Sequence, residues 1–163
     1  MPMDPIVPSF PEEDHNHRAC LSQAITAAEQ ACEARGVRLT KLRRRVLELI
    51  WASHAPVKAY DLLDQLRGEH AGAAPPTVYR ALDFLAAEGL IHRIESLNAF
   101  VGCAGPDHDH QGQFLICHRC GETAELDDPD IAALLRRKAA GIGFRVEQSM
   151  VELKGLCPRC QAV

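Results

Sequence analysis

A chain of 163 residues with 47% hydrophobic content is long enough for one ordinary domain or two small ones. It contains no apolar run of 18 residues, and its first 14 residues are rich in proline and acid, which argues against a membrane span or a signal peptide. Seven cysteines, some with CxxC spacing, fit metal binding in a reducing compartment better than a disulfide framework. We therefore expect a cytoplasmic protein.

The net charge of −4 hides an uneven distribution along the chain. Residues 35–95 carry ten basic and seven acidic residues, whereas the segments on both sides of them are acidic. This modest basic excess favours nucleic-acid binding only weakly, and an ordinary solvated surface would explain it equally well.

The first two thirds of the chain show helical periodicity followed by a hairpin pattern. Apolar residues at helical spacing predict four helices. The first covers residues 19–35, and the second begins at Lys41 after the N-cap Thr40. The third runs from Ala59 to Gly68 and the fourth from Thr77 to Gly89. Residues 90–95 and 99–103 read as two short strands around a turn at 96–98. The last three of these helices are short and are followed by a β-hairpin, which predicts a winged helix-turn-helix.

The last third predicts a small αβ domain, so that the whole chain belongs to the α+β class. Strands are expected at 113–117, 122–126 and 144–153. Between the last two, Asp127 or Asp128 with Pro129 opens a helix. One face of this helix carries Ile131, Leu134, Leu135, Lys138 and Ile142, four of which are apolar. A domain this small usually needs a metal ion or self-association for stability.

Two CxxC units flank this helix, at Cys117 and Cys120 and at Cys157 and Cys160. Four thiolates are a complete tetrahedral ligand set for structural zinc, which would hold the small domain together. A pair of redox CxxC motifs, or cysteines that merely pack in the core, is the less favoured alternative.

The helix that begins at Thr77 follows the helix-turn-helix turn, so it is the one able to enter a major groove. Tyr79 and Arg80 lie near its N-terminus, where contacts to bases occur. Lys41, Arg43 and Arg44 begin an earlier helix, and because basic residues there oppose the helix dipole, phosphate is a candidate partner. A solvated basic face would explain these three residues equally well. For the recognition helix, a helical bundle with an incidental surface arginine remains the alternative.

Several motifs carry a family resemblance: residues 37–40 (VRLT), 59–63 (AYDLL) and 77–85 (TVYRALDFL), followed by His92, Cys103 and the two CxxC pairs. Over residues 20–161 the chain resembles the ferric uptake regulator (Fur) family, most closely its zinc-sensing branch, the zinc uptake regulators. The resemblance implies a bacterial homodimeric transcription factor rather than an enzyme, which represses zinc-uptake genes on operator DNA when zinc is bound. It adds Tyr60 and Thr77 to the expected DNA contacts.

The resemblance also implies a second, regulatory zinc site formed by His92, Cys103, His110 and Glu125, and thus two zinc ions per chain. One thiolate, two imidazoles and one carboxylate suit four-coordinate zinc. His108 could replace His110. Such a site draws ligands from both domains, so its occupancy can set the angle between them.

The expected organisation is a flexible tail at 1–17, a winged-helix DNA-binding domain at 18–97, a hinge and metal-binding loop at 98–110 and a dimerisation domain at 111–163. Pro56 and a short histidine run depart from the pattern of iron sensors, so a regulator responsive to iron, manganese or peroxide is the second choice. A zinc-storage or thiol redox module is a weaker one. A zinc hydrolase is disfavoured because four protein ligands leave zinc no open position.

Overall fold

The computed structural model describes residue 10, residues 16–106 and residues 111–163. These residues form two compact units, an N-terminal unit within 16–106 and a C-terminal unit made of Phe10 and residues 111–163. None of the helices in the described ranges is long and apolar enough to cross a lipid bilayer.

The N-terminal unit contains four helices and a two-stranded antiparallel sheet. They are α1 (His17–Ala34), α2 (Lys41–Trp51), α3 (Ala59–Glu69), α4 (Pro75–Ala87), β1 (Ile91–Ile94) and β2 (Ala99–Gly102). Each helix buries its apolar stripe in one shared core, to which Leu47, Leu62, Leu66, Leu82 and Leu85 each contribute a fully buried side chain. The predicted winged helix-turn-helix is confirmed.

The helix starts follow local capping chemistry. The side chain of Thr40 accepts a hydrogen bond from the Arg43 N–H at 3.4 Å, which confirms it as the N-cap of α2. The predicted start of α4 at Thr77 is wrong by two residues, because the helix begins at Pro75. Proline suits the first helical positions, where its missing N–H has no intrahelical partner to lose.

The hairpin of β1 and β2 forms the wing. Residues 95–97 form a 3-10 turn, and Asn98 closes it in the left-handed conformation, with φ 47°. Beyond the turn, β2 pairs with β1 from Ala99 to Gly102. The wing of the N-terminal unit therefore extends into the range expected to be a hinge, and α1 begins at His17, inside the expected tail.

The C-terminal unit is a three-stranded sheet with one crossover helix. Its elements are β3 (Gly112–Cys117), β4 (Thr123–Glu125), α5 (Pro129–Ala140), β5 (Met150–Gly155) and the short α6 (Pro158–Gln161). The strand order is β4-β3-β5, with β4 antiparallel and β5 parallel to β3. Asp128, one of the two residues predicted to open α5, caps the helix through its side chain.

The predicted strand at 144–153 is wrong at its start, since β5 begins only at Met150. The register explains the difference, because Met150 pairs with Gly112, the first residue of β3. Within the part of the chain that the structure describes, no strand extends before Gly112 to pair with the residues that precede Met150. Gly143, at φ 78°, ends the α5 segment with a turn instead.

Helix α5 buries none of its residues within this chain. Leu134 and Leu135 of its predicted apolar face are exposed, and Ile142, just past its end, is 86% exposed. Phe144, Met150 and Leu153 add to these exposed apolar side chains. The amphipathic pattern was predicted correctly, but among the described residues no helix or strand buries the exposed side chains of this face.

Candidate metal centres and nucleic-acid interface

The parallel pairing of β3 and β5 brings the two CxxC units together. Cys117 ends β3, and its register partner Gly155 ends β5, so both strands lead into their cysteine turns at the same end of the sheet. The His118 N–H donates to the Gly155 carbonyl at 3.0 Å, and the Gly121 N–H closes the first turn onto the Cys117 carbonyl at 2.9 Å. Gly121 adopts φ 80°, which favours glycine.

The sulfur atoms of Cys117, Cys120, Cys157 and Cys160 all lie within 4.8 Å of one another. The Cys120 and Cys157 sulfurs are 3.7 Å apart. Four thiolates bound tetrahedrally to zinc, with Zn–S bonds of about 2.3 Å, have their sulfurs about 3.8 Å apart. The geometry and the donor type therefore both fit a zinc ion.

The ionisation of these thiols is uneven. Backbone N–H groups of Cys120, Cys157 and Arg119 point at the Cys117 sulfur and lower the pKa of Cys117 to about 5. Burial, followed by hydrogen bonds to the other three sulfurs, raises the pKa of Cys160 to about 12. Four clustered thiols cannot all ionise beside one another without a cation, and a divalent ion supplies the missing positive charge.

Two arginines, each placed directly before the second cysteine of its CxxC unit, link the two turns. Arg119 Nη1 donates to the Cys160 carbonyl at 2.7 Å, and Arg159 Nη2 donates to Glu122 Oε1 at 2.8 Å. Hydrogen bonds to Glu122 and then to Cys120 raise the pKa of the Arg159 guanidinium. Neither arginine was predicted from the sequence to belong to the site, although their matching positions within the two CxxC units were a visible signal.

Two of the residues expected to form the regulatory site, one histidine and one cysteine, lie near each other within the N-terminal unit. His92 is half-buried on β1, and Cys103 is buried immediately after β2, where its N–H donates to the Leu90 carbonyl at 2.9 Å. The Cys103 sulfur and a ring nitrogen of His92 lie within 4.8 Å of each other. This pair can supply two of the ligands of a zinc ion.

The other two expected ligands belong to other parts of the chain. Glu125 is half-buried at the end of β4, opposite Phe114 of β3. His110, together with its alternative His108, lies outside the described residues.

Three of the four candidate DNA-contacting residues of α3 and α4 are exposed. Tyr60 and Tyr79, the only tyrosines of the chain, are 68% and 55% exposed, and Arg80 is exposed beside Tyr79. Thr77 is half-buried in the first turn of α4. The opposite face of α4 is buried through Val78, Ala81, Leu82 and Leu85, as predicted.

The basic residues at the start of α2 differ from one another in their contacts. Arg43 lies 3.6 Å above the Phe84 ring and donates to the Arg38 carbonyl at 2.7 Å. Arg44 pairs with Glu29 and Glu48. Lys41 is exposed. Since Arg43 and Arg44 have protein partners, the positive charge of Lys41 is the most available of the three for binding a phosphate.

A sequence profile of the ferric uptake regulator family matches residues 34–154, about three quarters of the chain. The chain belongs to the ferric uptake regulator family. The zinc uptake regulation protein of Escherichia coli (strain K12) is 40% identical over 142 residues, which cover 86% of this chain and 83% of that protein. The resemblance stated from the motifs, including its zinc-sensing branch, is confirmed.

Solved structures of this family agree with the sequence match. A zinc uptake regulator complexed with zinc and DNA is 39% identical, covers 91% of this chain and 97% of its own, and gives a TM-score of 0.80. The crystal structure of holo XcZur is 47% identical, covers 86% of this chain and 99% of its own, and also gives a TM-score of 0.80. Both units of this Fur-family chain thus have counterparts in these two solved structures.

Proposed function

We propose that this Fur-family chain is a zinc-responsive transcriptional repressor that binds operator DNA as a zinc-loaded homodimer and represses zinc-uptake genes. The observation that carries the proposal is the likeness, over nearly the whole chain, to a zinc uptake regulator solved with zinc and DNA. A bacterial repressor of this kind acts in the cytoplasm, where the chromosome lies.

The DNA contacts are assigned to α4 and to residues near it. An exposed arginine in the N-terminal half of a recognition helix can donate two hydrogen bonds to a guanine edge in the major groove, so Arg80 is the candidate for reading bases. Tyr79, Thr77 and Tyr60 accompany it. Lys41 is the favoured phosphate contact. Arg43 and Arg44 take part through those N–H groups that do not bind their protein partners.

Two zinc ions per chain are proposed, with separate roles. The first, bound by Cys117, Cys120, Cys157 and Cys160, is structural, because metal binding to a small domain adds directly to its folding free energy. It would hold the ends of β3 and β5 together.

The second zinc ion is regulatory and is assigned to His92, Cys103, Glu125 and His110, with His108 as the alternative. The soft Cys103 sulfur and the low coordination number favour zinc over magnesium or manganese. Zinc bound there favours the DNA-binding conformation, and by linkage operator DNA must raise the affinity for that zinc by the same factor.

Self-association is assigned to the C-terminal unit. Its exposed apolar side chains, including Leu134, Leu135 and Ile142, are of the kind that a partner surface normally covers. A second copy of the chain can bury them and supply the stability that a small unit lacks.

The proposal is tested by fluorescence anisotropy of labelled operator DNA over a range of buffered free zinc, iron(II) and manganese(II) concentrations. We expect tight binding only when zinc is available in excess of the structural ion. Binding that follows iron or manganese instead would favour the second candidate function, a regulator that senses one of those metals or peroxide. Operator binding that is unchanged after the exchangeable metal is removed would contradict metal-dependent repression altogether.

A further inference from the structure

Arg35 extends a long side chain from a fixed point at the end of α1. It is the C-cap residue of that helix, and its N–H donates to the Ala31 carbonyl at 3.2 Å. Two residues later, the Val37 N–H donates to the carbonyl of Cys32, a buried core residue, at 3.0 Å. The backbone from which the Arg35 side chain starts is therefore held by the helix end and by the core.

The guanidinium of Arg35 binds two separate parts of the N-terminal unit. Its Nη1 atom donates to the backbone carbonyl of Glu88, the C-cap of α4, and lies 3.4 Å from Glu88 Oε2. Its Nη2 atom donates to the Pro106 carbonyl at 2.7 Å. Carbonyl groups at a helix C-terminus carry partial negative charge, so a guanidinium is a favourable partner there. Because the N–H groups of a guanidinium form a rigid planar fork, one side chain binds both carbonyls at fixed relative positions.

The segment 103–106 is thereby held at both ends. At its start the Cys103 N–H donates to the Leu90 carbonyl at 2.9 Å, and at its end the Pro106 carbonyl accepts from Arg35. Both Cys103 and Pro106 are buried. Since Leu90 follows Glu88 by only two residues, both bonds attach this segment to the C-terminal end of the recognition helix α4.

We propose that Arg35 is a positioning residue for the zinc ligand Cys103: it fixes the segment 103–106 against the end of α4 and so lowers the free zinc concentration at which operator DNA is bound. The inference rests on the proposed function and its regulatory zinc site. Zinc binds only those conformations in which its ligands are in place, so the apparent Kd for zinc rises by the inverse of their fraction. Without Arg35 the segment is held at one end only, and that fraction falls.

The experiment uses the full-length protein and compares the parent with Arg35→Met, which keeps a long side chain but has no N–H donor. Hydrogen–deuterium exchange, measured with the structural zinc bound and the exchangeable metal removed, reports on the N–H groups of residues 103–105. Fluorescence anisotropy of labelled operator DNA over buffered free zinc gives the midpoint of the zinc response and the DNA affinity at saturating zinc. For Arg35→Met we expect faster exchange at residues 103–105, a midpoint at roughly 3- to 10-fold higher free zinc, and an unchanged affinity at saturating zinc. A merely structural role would lower Tm or the affinity at saturating zinc without moving the midpoint.

Arg35→Lys and Glu88→Gln separate the two contacts of the guanidinium. A lysine ammonium is a single nitrogen and cannot bind Glu88 and Pro106 in the same geometry, so Arg35→Lys should shift the midpoint in the same direction as Arg35→Met. Glu88→Gln keeps both carbonyls that accept from Arg35 and should shift it less. Arg145→Met is the matched control, because it removes an arginine whose 2.7 Å ion pair with Glu147 is largely exposed. Its exchange and midpoint should equal those of the parent.

Equal exchange at residues 103–105 in Arg35→Met and the parent, or an unshifted midpoint, would overturn the proposal. If Arg35→Met does not fold, parent-like midpoints in both Arg35→Lys and Glu88→Gln overturn it instead. The parent is titrated first. Operator binding by the parent that does not depend on free zinc contradicts the proposed function, whereas zinc-dependent binding with the same midpoint in the parent and Arg35→Met contradicts the role of Arg35 alone.

Discussion

Substitution of Gly102 by alanine should destabilise the N-terminal unit through one steric clash. A Cβ atom at residue 102 would lie 2.1 Å from Cε2, 2.2 Å from Nε1 and 2.6 Å from Cζ2 of Trp51. Carbon atoms in contact normally lie about 3.5 to 4.0 Å apart, so the strand or the indole must move by roughly 1.5 Å. All three atoms belong to one rigid ring system, so no flexible side-chain end can swing away.

Adding a methyl group to a well-packed region costs about 1 to 3 kcal/mol. In a chain of this size each kcal/mol lowers Tm by about 2 to 4 °C, so Gly102→Ala should lower Tm by roughly 2 to 12 °C. The measurement is thermal unfolding by far-ultraviolet circular dichroism at fixed protein and zinc concentrations. Cys103 follows Gly102 directly, so the variant should also need more free zinc for operator binding.

The control is Gly68→Ala in α3 of the same unit, where the added Cβ would have no neighbour within 4 Å other than the adjoining residues and the backbone of its own helix. It should raise the stability by up to about 1 kcal/mol, because alanine favours a helix more than glycine does. In a Trp51→Leu background, the extra cost of Gly102→Ala should fall below about 0.5 kcal/mol, since the clashing ring is absent. An unchanged Tm for Gly102→Ala, or the same cost in both backgrounds, would refute the steric explanation.

Three further predictions concern the proposed sites. Cys157→Ser should lose one tightly bound zinc per chain and disrupt the dimer; elemental analysis and sedimentation that match the parent would contradict the structural site. Arg80→Ala should weaken operator binding by about 1 to 3 kcal/mol and affect random DNA less; an equal loss on both DNAs in a titration would make Arg80 a phosphate contact. Cys103→Ser should keep the dimer and its structural zinc but lose zinc-dependent operator binding, and parent-like affinity across the same buffered free zinc would rule out its role as a ligand.

The sequence was most informative where spacing alone determines the structure. Two CxxC units and the strand pattern between them predicted a four-cysteine cluster, because both features are local and the β3–β5 pairing has few alternatives. The buried face of α4 followed from helical periodicity in the same way. The start of β5 could not be predicted, because it depends on where β3 begins, and the alternation of residues 144–149 carries no information about a neighbouring strand.

The contacts of long polar side chains could not be predicted from the sequence either. Spacing indicates where the Cα atom of Arg159 lies, but not that its guanidinium reaches Glu122, 37 residues away in the sequence. Likewise, Arg45 binds Glu69 and Arg44 binds Glu29, so much of the basic start of α2 is neutralised by partners distant in sequence. Charge counts over a segment overestimate the positive charge available to phosphate for this reason.

The distribution of aromatic residues gives the protein built-in optical labels. Trp51 and both tyrosines lie in the N-terminal unit, whereas residues 111–163 contain neither tryptophan nor tyrosine. Intrinsic fluorescence therefore arises from the N-terminal unit alone, with tryptophan emission reporting on the Gly102 end of the wing and tyrosine emission on the exposed helical surface. The C-terminal unit contributes no such emission and can be followed separately through the charge-transfer absorption of a cobalt-substituted cysteine cluster, so one unlabelled sample distinguishes the unfolding of the two units.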